Sequence, residues 1–437
     1  MRRRAALPLI FGAPWALATR SALAQQSAPT VSMIPVSGEG AKYWSRWRGP
    51  SGQGLVAGSG YTDKWSDTEN VVWSTNVPGS GNSSPIVWSD RIFLTTAHGS
   101  GKRSVLCFSR RDGKLLWETF GPDASAEHVH RKNGLASSSV ATDGQLVYAF
   151  LGNQGLLAMD FDGRIAWTRE LGPSANYHGP AGSPQLYKDM VILYQDQGKT
   201  NFNASRVTGD PKGFAAAFDR KTGKTIWWNE RSETVGWGTP VAIRAGGRDE
   251  IIVHGQYKVY SYDPASGKTL WTCDGPTMEV IPTPVVGHGL VFCSSGRAGP
   301  TLAIRPGGSG DVTDTHVAWS TPRGSPFIPS PLLLGDYLYT INDMASIGTC
   351  FEAKTGKTVW QQRLGEPRRE GFSPSPVTVD GKLFFTNDIG ETYVLRAGPE
   401  FELLHVNRFN EQTLASPALV DGRWYFRTQS RLLEIAG

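Results

Sequence analysis

His128-Val129-His130 sets two imidazoles at alternate positions, where an extended segment points both rings the same way and toward one Zn or Cu ion. His178 is the best candidate for a third ligand, and hydrogen-bonding loop histidines are the competing reading. Lys132 and Asn133 follow at once. They suit an anionic or carbonyl-bearing ligand, or else stitch a long loop to its neighbour. Tyr177 stands beside His178. Gln195-Asp196-Gln197 holds a carboxylate suited to work as a base or cation ligand, or simply to form a turn. Asn342-Asp343 and Asn387-Asp388 recur at matching places further on, which favours the turn. Trp237 can floor a flat ligand, and Arg323, Arg368 and Arg369 can meet an anion or simply face solvent. Asp311 and Asp314 fit a lengthened hairpin better than a Ca²⁺ site. No nucleophile elbow and no HExxH motif is present, so hydrolytic chemistry has no handle.

What positions these residues is a repeat. A Ser/Thr-Pro pair opens an apolar run at Ser84-Pro85, Ser183-Pro184, Thr239-Pro240, Thr283-Pro284, Ser330-Pro331, Ser375-Pro376 and Ser416-Pro417. Ser139-Val140 fills the remaining place, giving eight starts. Late in most units comes a Gly-Lys or Gly-Arg turn and then Trp, as in Asp112-Gly113-Lys114 with Trp117 and Thr222-Gly223-Lys224 with Trp227. A short polar residue leading into Gly, between β-branched and aromatic runs, is hairpin chemistry. Each unit reads as four short strands A to D. In the third unit these are 183–187, 190–195, 214–219 and 225–229. The reading is therefore all-β: an eight-bladed β-propeller of four-stranded antiparallel blades. Only three strands fit after Pro417, so residues 70–76, with Trp73, are expected to complete the last blade and close the ring. The small Ser and Pro at strand A suit a crowded axis, and Trp on strand D suits the gap between blades.

The expected domains are a signal peptide (1–24), an N-terminal arm (25–64) and the propeller (65–437). Arg2-Arg3-Arg4, the apolar stretch from Ala5 to Ala18 and Ala22-Leu23-Ala24 form the three-part plan of an export signal, with Sec or twin-arginine export both open. Location is then periplasmic or secreted, without a lipid anchor or membrane span. The whole chain carries +5, but residues 1–24 hold four Arg and no acid, and without them 40 basic face 39 acidic residues. A nucleic-acid partner, which needs a basic face, has no support. The cysteines Cys107, Cys273, Cys293 and Cys350 are dispersed, which suits buried thiols and leaves a Cys273–Cys293 bridge open.

The repeated S-P…D-x-x-T-G-K-x-x-W pattern resembles the pyrroloquinoline quinone (PQQ)-type propellers, a group that includes quinoprotein alcohol dehydrogenases and the assembly lipoprotein BamB. Trp47-Arg48-Gly49-Pro50, Lys64-Trp65, Ser83-Ser84-Pro85-Ile86-Val87 and 304–311 (IRPGGSGD) are similar to exported, largely unassigned PQQ-like propellers of environmental bacteria. The resemblance implies the fold over about residues 44–437. It leaves two roles: a binding or scaffold propeller, or a periplasmic oxidoreductase using PQQ with Ca²⁺, in which Asp196 would be the base. The adjacent cysteines of the large quinoprotein dehydrogenases are absent, as is a haem motif.

In a four-stranded meander the D–A and B–C connections share one end of the blade. The long, varied segments 120–135, 174–181 and 196–212 are of these two kinds, so they converge on one face over blades 1 to 3. That face is where a protein partner, or a small-molecule or glycan ligand, is expected to bind a monomeric propeller.

Overall fold

The computed structural model describes Met1 and residues 30–437, except 126, 131, 201–208, 297–298, 323 and 368–370. The signal segment, and the candidates Arg323, Arg368 and Arg369, lie outside the described residues.

Eight antiparallel sheets follow one another along the chain and around an axis. Blade 3 shows the plan: A is Gln185–Tyr187, B Met190–Gln195, C Gly213–Asp219 and D Thr225–Arg231. Strands B and C read as unbroken apolar runs because neighbouring blades cover both of their faces, as in Val191, Ile192 and Leu193, all fully buried. Val71–Asn76 pairs antiparallel with Arg431–Ile435 and is the outer strand of blade 8, so the ring is closed by its first and last strands. In blade 4 the sheet grows to six strands. Val31–Met33 adds to strand A (Val241–Ala245), and Gly310–Asp311 adds in parallel to strand D (Thr269–Asp274).

Two sets of hydrogen bonds explain the repeat. The first uses the strand D tryptophans. Trp73, Trp117, Trp167, Trp227, Trp319 and Trp360 each donate Nε1–H to a backbone carbonyl in the C–D turn of the next blade. The turn glycine lies on that indole: a Cβ on Gly223 would come 2.6 Å from Trp167, and on Gly113 the same distance from Trp73. Both glycines hold positive φ, +68° and +69°, so glycine serves the turn and the contact at once. Trp271 departs from the rule and donates to Glu250 Oε2 at 2.7 Å. The lengthened hairpin of blade 5, with a short helix over Thr313–His316, replaces the usual turn there.

The second set surrounds the axis. Each Ser or Thr before the repeat proline accepts the backbone N–H of its counterpart in the preceding blade. Ser84 donates to Ser139, Ser139 to Ser183, Ser183 to Thr239 and Thr239 to Thr283. Thr283 then donates to Ser330, Ser330 to Ser375, Ser375 to Ser416, and Ser416 back to Ser84. All eight bonds measure between 2.8 and 3.3 Å. Small size suits the axis, but the hydroxyl is what the position uses.

The arm runs beneath this ring along the inner strands. Trp44 pairs with Val87 of blade 1, the Thr142 amide of blade 2 donates to Ser45 O, and Leu55 pairs with Thr378 of blade 7. The Gln53 side chain accepts from the Val286 amide of blade 5 at 2.6 Å. Arg48, fully buried, donates to Gln53 O and to Pro331 O of blade 6. Trp65 is buried among Phe384, Phe409, Trp424 and Phe426. The four cysteines are free thiols buried in the blades, so the Cys273–Cys293 bridge does not form. No helix of the described residues is long and apolar enough to cross a membrane.

Candidate functional site

The start of strand A, the D–A loops above it and the arm below it enclose a cavity of about 370 Å³ on the axis. Five ring residues, Ser183, Thr239, Thr283, Ser330 and Ser375, line it. Trp47 enters from the arm side and donates its indole N–H to Thr283 Oγ1 at 3.2 Å. The pocket is therefore blind: the arm stops the axial channel, and the loop face leaves it open.

The ring gives the pocket a definite chemical bias. The hydroxyls of Ser183, Thr239, Ser330 and Ser375 each accept one backbone bond and donate none among the described residues. A hydroxyl carries one donor as well as its lone pairs. Four O–H donors are thus left to face an acceptor in the cavity.

The first two D–A loops build one wall. The His130 amide and the Asn133 side chain both donate to His178 O, at 3.0 and 2.9 Å, and Asn133 also donates to Pro180 O. Asn133 therefore stitches the two loops together. Asn82 donates to Lys132 O and Asn133 O, fastening the same loop to blade 1. The His130 and His178 rings meet edge-on at 4.9 Å, Tyr177 lies 4.3 Å from His178, and Trp237 lies 5.2 Å from it. Trp237 donates its N–H to Gly179 O at 2.8 Å, which holds the indole in place against the pocket. His130 Nδ1 accepts from the Lys132 amide at 3.4 Å.

Lys132 reaches to the far side and pairs with Asp388 of blade 7 at 2.8 Å. Burial raises the Asp388 pKa, and Lys132 opposes that rise. Asp343, at the matching place of blade 6, is buried and accepts the Phe327 amide at 2.8 Å. Burial pushes its carboxyl up to about 6. The recurrent Asn-Asp pairs thus do shape turns, and their carboxylates are buried while doing so.

The pocket gathers His130, Lys132, Asn133, Tyr177, His178 and Trp237. Three other candidates stand apart from it. His128 is exposed and does not line the cavity. Among the described residues no group of three or more His, Cys, Asp or Glu is placed to hold a metal ion, so the three histidines do not form the suggested triad. Gln195 is buried and donates to Ser174 Oγ and Gln197 Oε1. Asp196 has no exposed surface and is held by Arg231, with Nε at 2.6 Å and Nη2 at 3.3 Å. Burial alone would lower the Arg231 pKa, but Asp196 beside it holds the guanidinium well above its ordinary value. Tyr260 packs on the other side of Arg231, 4.4 Å from ring centre to guanidinium carbon. Asp196 is a structural counter-ion, walled off from the cavity. Trp47, Glu279 and the ring hydroxyls are lining groups that motif reading passed over. The Ser/Thr-Pro repeat itself was the available signal.

PQQ carries three carboxylates and, in the alternative reading, binds with Ca²⁺, which takes six to eight oxygen ligands. Glu279 is the one carboxylate lining the pocket among the described residues, and Lys132 the one cation. Asp196 is spent on Arg231, and the cysteines are buried singly in separate strands. The donor set does not fit this cofactor pair.

Fold and site together define the class: an eight-bladed propeller with a blind axial pocket. The family model for "Outer membrane protein assembly factor BamB" matches residues 44–180, 211–342 and 343–435, and the chain belongs to that family of PQQ-like propellers. BamB from Moraxella catarrhalis is similar in structure at 14% identity and a TM-score of 0.59, over 84% of this chain and 99% of that one. Quinohemoprotein alcohol dehydrogenase from Comamonas testosteroni is similar at 11% identity and 0.63, over 90% of this chain and 80% of that one. Both likenesses are of fold alone. Tetrathionate hydrolase of Acidithiobacillus ferrooxidans is 23% identical over 284 residues, 62% of this chain and 51% of that protein. The chain thus matches about half the length of that curated relative.

Proposed function

We propose that the protein is an exported binding propeller that takes a small, acceptor-rich molecule into its blind axial pocket. One observation carries this reading: four ring hydroxyls line a blind cavity with their O–H donors unspent, beneath the aromatic wall of Trp237, His178 and Tyr177. A cavity of this size with an apolar wall and a few fixed polar groups is the ordinary form of a small-ligand site. A scaffold needs no such interior, so the pocket favours ligand binding over a purely mechanical role. The arginine-led N-terminal segment supports export. The relative named for hydrolysing tetrathionate, itself an oxygen-rich anion, is in keeping with an acceptor-rich ligand.

The test is a thermal-shift screen of small molecules against the mature protein, with PQQ plus Ca²⁺ among them. A saturable rise in melting temperature that Trp237→Ala abolishes supports the reading. Saturable binding of PQQ would instead restore the oxidoreductase reading. A screen without hits, alongside a protein captured from periplasmic extract that binds equally well to Trp237→Ala, would replace it with a scaffold role.

A further inference from the structure

Arg427 ends strand B of blade 8 (Arg423–Arg427), where it has 1% of its surface exposed. Its Nη1 is anchored on Ser83 Oγ and Thr95 O, both at 2.7 Å. Nε and Nη2 meet no acceptor among the described residues. Two other buried arginines have carboxylates, Arg103 with Glu127 and Arg231 with Asp196, whereas Arg46 and Arg48 of the arm rest on backbone carbonyls. Arg427 has no carboxylate. Burial lowers its pKa to about 9, and no acid counters that effect. Burying a guanidinium without a countercharge is unfavourable, so its retention asks for a partner.

Space for that partner exists. A second cavity, of about 160 Å³, lies against Arg427 and is lined also by Ser80, Gln412, Thr428 and Gln429. Gly81, which also lines it, packs directly on the guanidinium: a Cβ there would come 2.9 Å from Nη2 and 2.8 Å from Ala136 O. Gln412 and Gln429 stand exposed at its rim. Asn82 and Leu414 line both this chamber and the axial pocket, so the two adjoin. Arg48 is also buried with unpaired nitrogens, but it lines neither cavity.

We infer that the side chamber is an oxyanion site, in which the buried Arg427 guanidinium supplies the countercharge for one sulfate, sulfonate, phosphate or carboxylate group. The site stands on its own geometry. It extends the proposed function where the oxyanion is one end of the axial ligand.

The test follows the melting temperature of the full mature chain in low-millimolar sodium sulfate, against sodium chloride of equal ionic strength. Benzenesulfonate is run beside it as the same oxyanion on an aromatic body. Wild type is expected to gain stability saturably from sulfate or benzenesulfonate. Arg427→Met is expected to lose that gain. Because Arg427→Met can also fail to fold, Gln412→Glu is the second variant. It sets a carboxylate at the rim and is expected to weaken the anion response about tenfold or more. A stronger response to sulfate identifies a free ion, and a stronger response to benzenesulfonate a ligand spanning both chambers. An identical sulfate response in wild type and Gln412→Glu, or none in wild type, overturns the site. Loss of this response alongside ligand binding that depends on Trp237 would leave the axial pocket standing.

Discussion

The Ser416 amide donates to the Ser84 hydroxyl at 3.0 Å across 332 positions of sequence. That bond closes a ring of eight in which every blade holds the next. It explains why Ser or Thr precedes the proline in seven of the eight repeats: the hydroxyl accepts an N–H that would otherwise be buried without a partner. It also leaves the hydroxyl protons free to face the cavity.

Ser416→Ala is therefore expected to destabilise by about 1–3 kcal/mol, the penalty for leaving the buried Ser375 amide unpaired. Ser416→Thr keeps the acceptor and is expected to cost much less. Urea denaturation of the two variants checks this; equal losses would assign the position to packing alone.

The turn glycines separate two effects. Gly335→Ala would meet nothing within 4 Å and pays only for its φ of +57°, roughly 1–2 kcal/mol. Gly223→Ala adds a clash with the Trp167 indole to a similar φ and is expected to cost clearly more. Thermal unfolding of the pair checks the order.

Two buried groups pull stability in opposite directions with pH. Burial raises Asp343 to about 6, above its unfolded value near 4, so the folded state binds the extra proton. Its contribution is full below about pH 4 and is lost as pH rises through about 6. Burial lowers His254 to about 4 from an unfolded value near 6.5, so its contribution is present above about 6.5 and lost as pH falls toward 4. Asp343→Asn keeps an acceptor for the Phe327 amide and is expected to gain on the order of 2 kcal/mol at pH 7 relative to pH 4. His254→Gln is expected to change stability in the opposite sense across the same window. Denaturation at pH 4, 5, 6 and 7 reads both slopes.

Lys132→Met is expected to leave Asp388 buried without its cation and to loosen the loop that Asn82 and Asn133 fasten. A loss of about 3 kcal/mol at pH 7 is expected, recovered in part by the added change Asp388→Asn. A double-mutant cycle measures the coupling.

The architecture was legible because its cause is local and repeated. Thr222-Gly223-Lys224 with Trp227 names a turn and the indole that packs on the following blade, wherever it occurs. The side of the propeller carrying the long loops followed from strand count alone. What escaped was anything depending on which distant chains meet. Asp196 reads as an accessible carboxylate until Arg231, 35 positions on, is found on it. His128 and His130 share a strand-like spacing, yet only His130 turns into the cavity, because its segment folds back onto His178. Trp47 gave no sign of its role as a floor, since the arm that carries it has no counterpart in the repeat. Arg427 did leave a trace: a lone charge ends the run Trp424-Tyr425-Phe426, a strand otherwise buried.

The most direct measurement is a ligand titration of the mature protein beside Trp47→Ala and Trp237→Ala, using the best compound of the thermal-shift screen and following heat of binding. The pocket account predicts one saturable site in the wild type, weakened at least about tenfold in both variants, which touch the cavity from its floor and its wall. Unchanged affinity in both variants would place the ligand elsewhere and contradict the account.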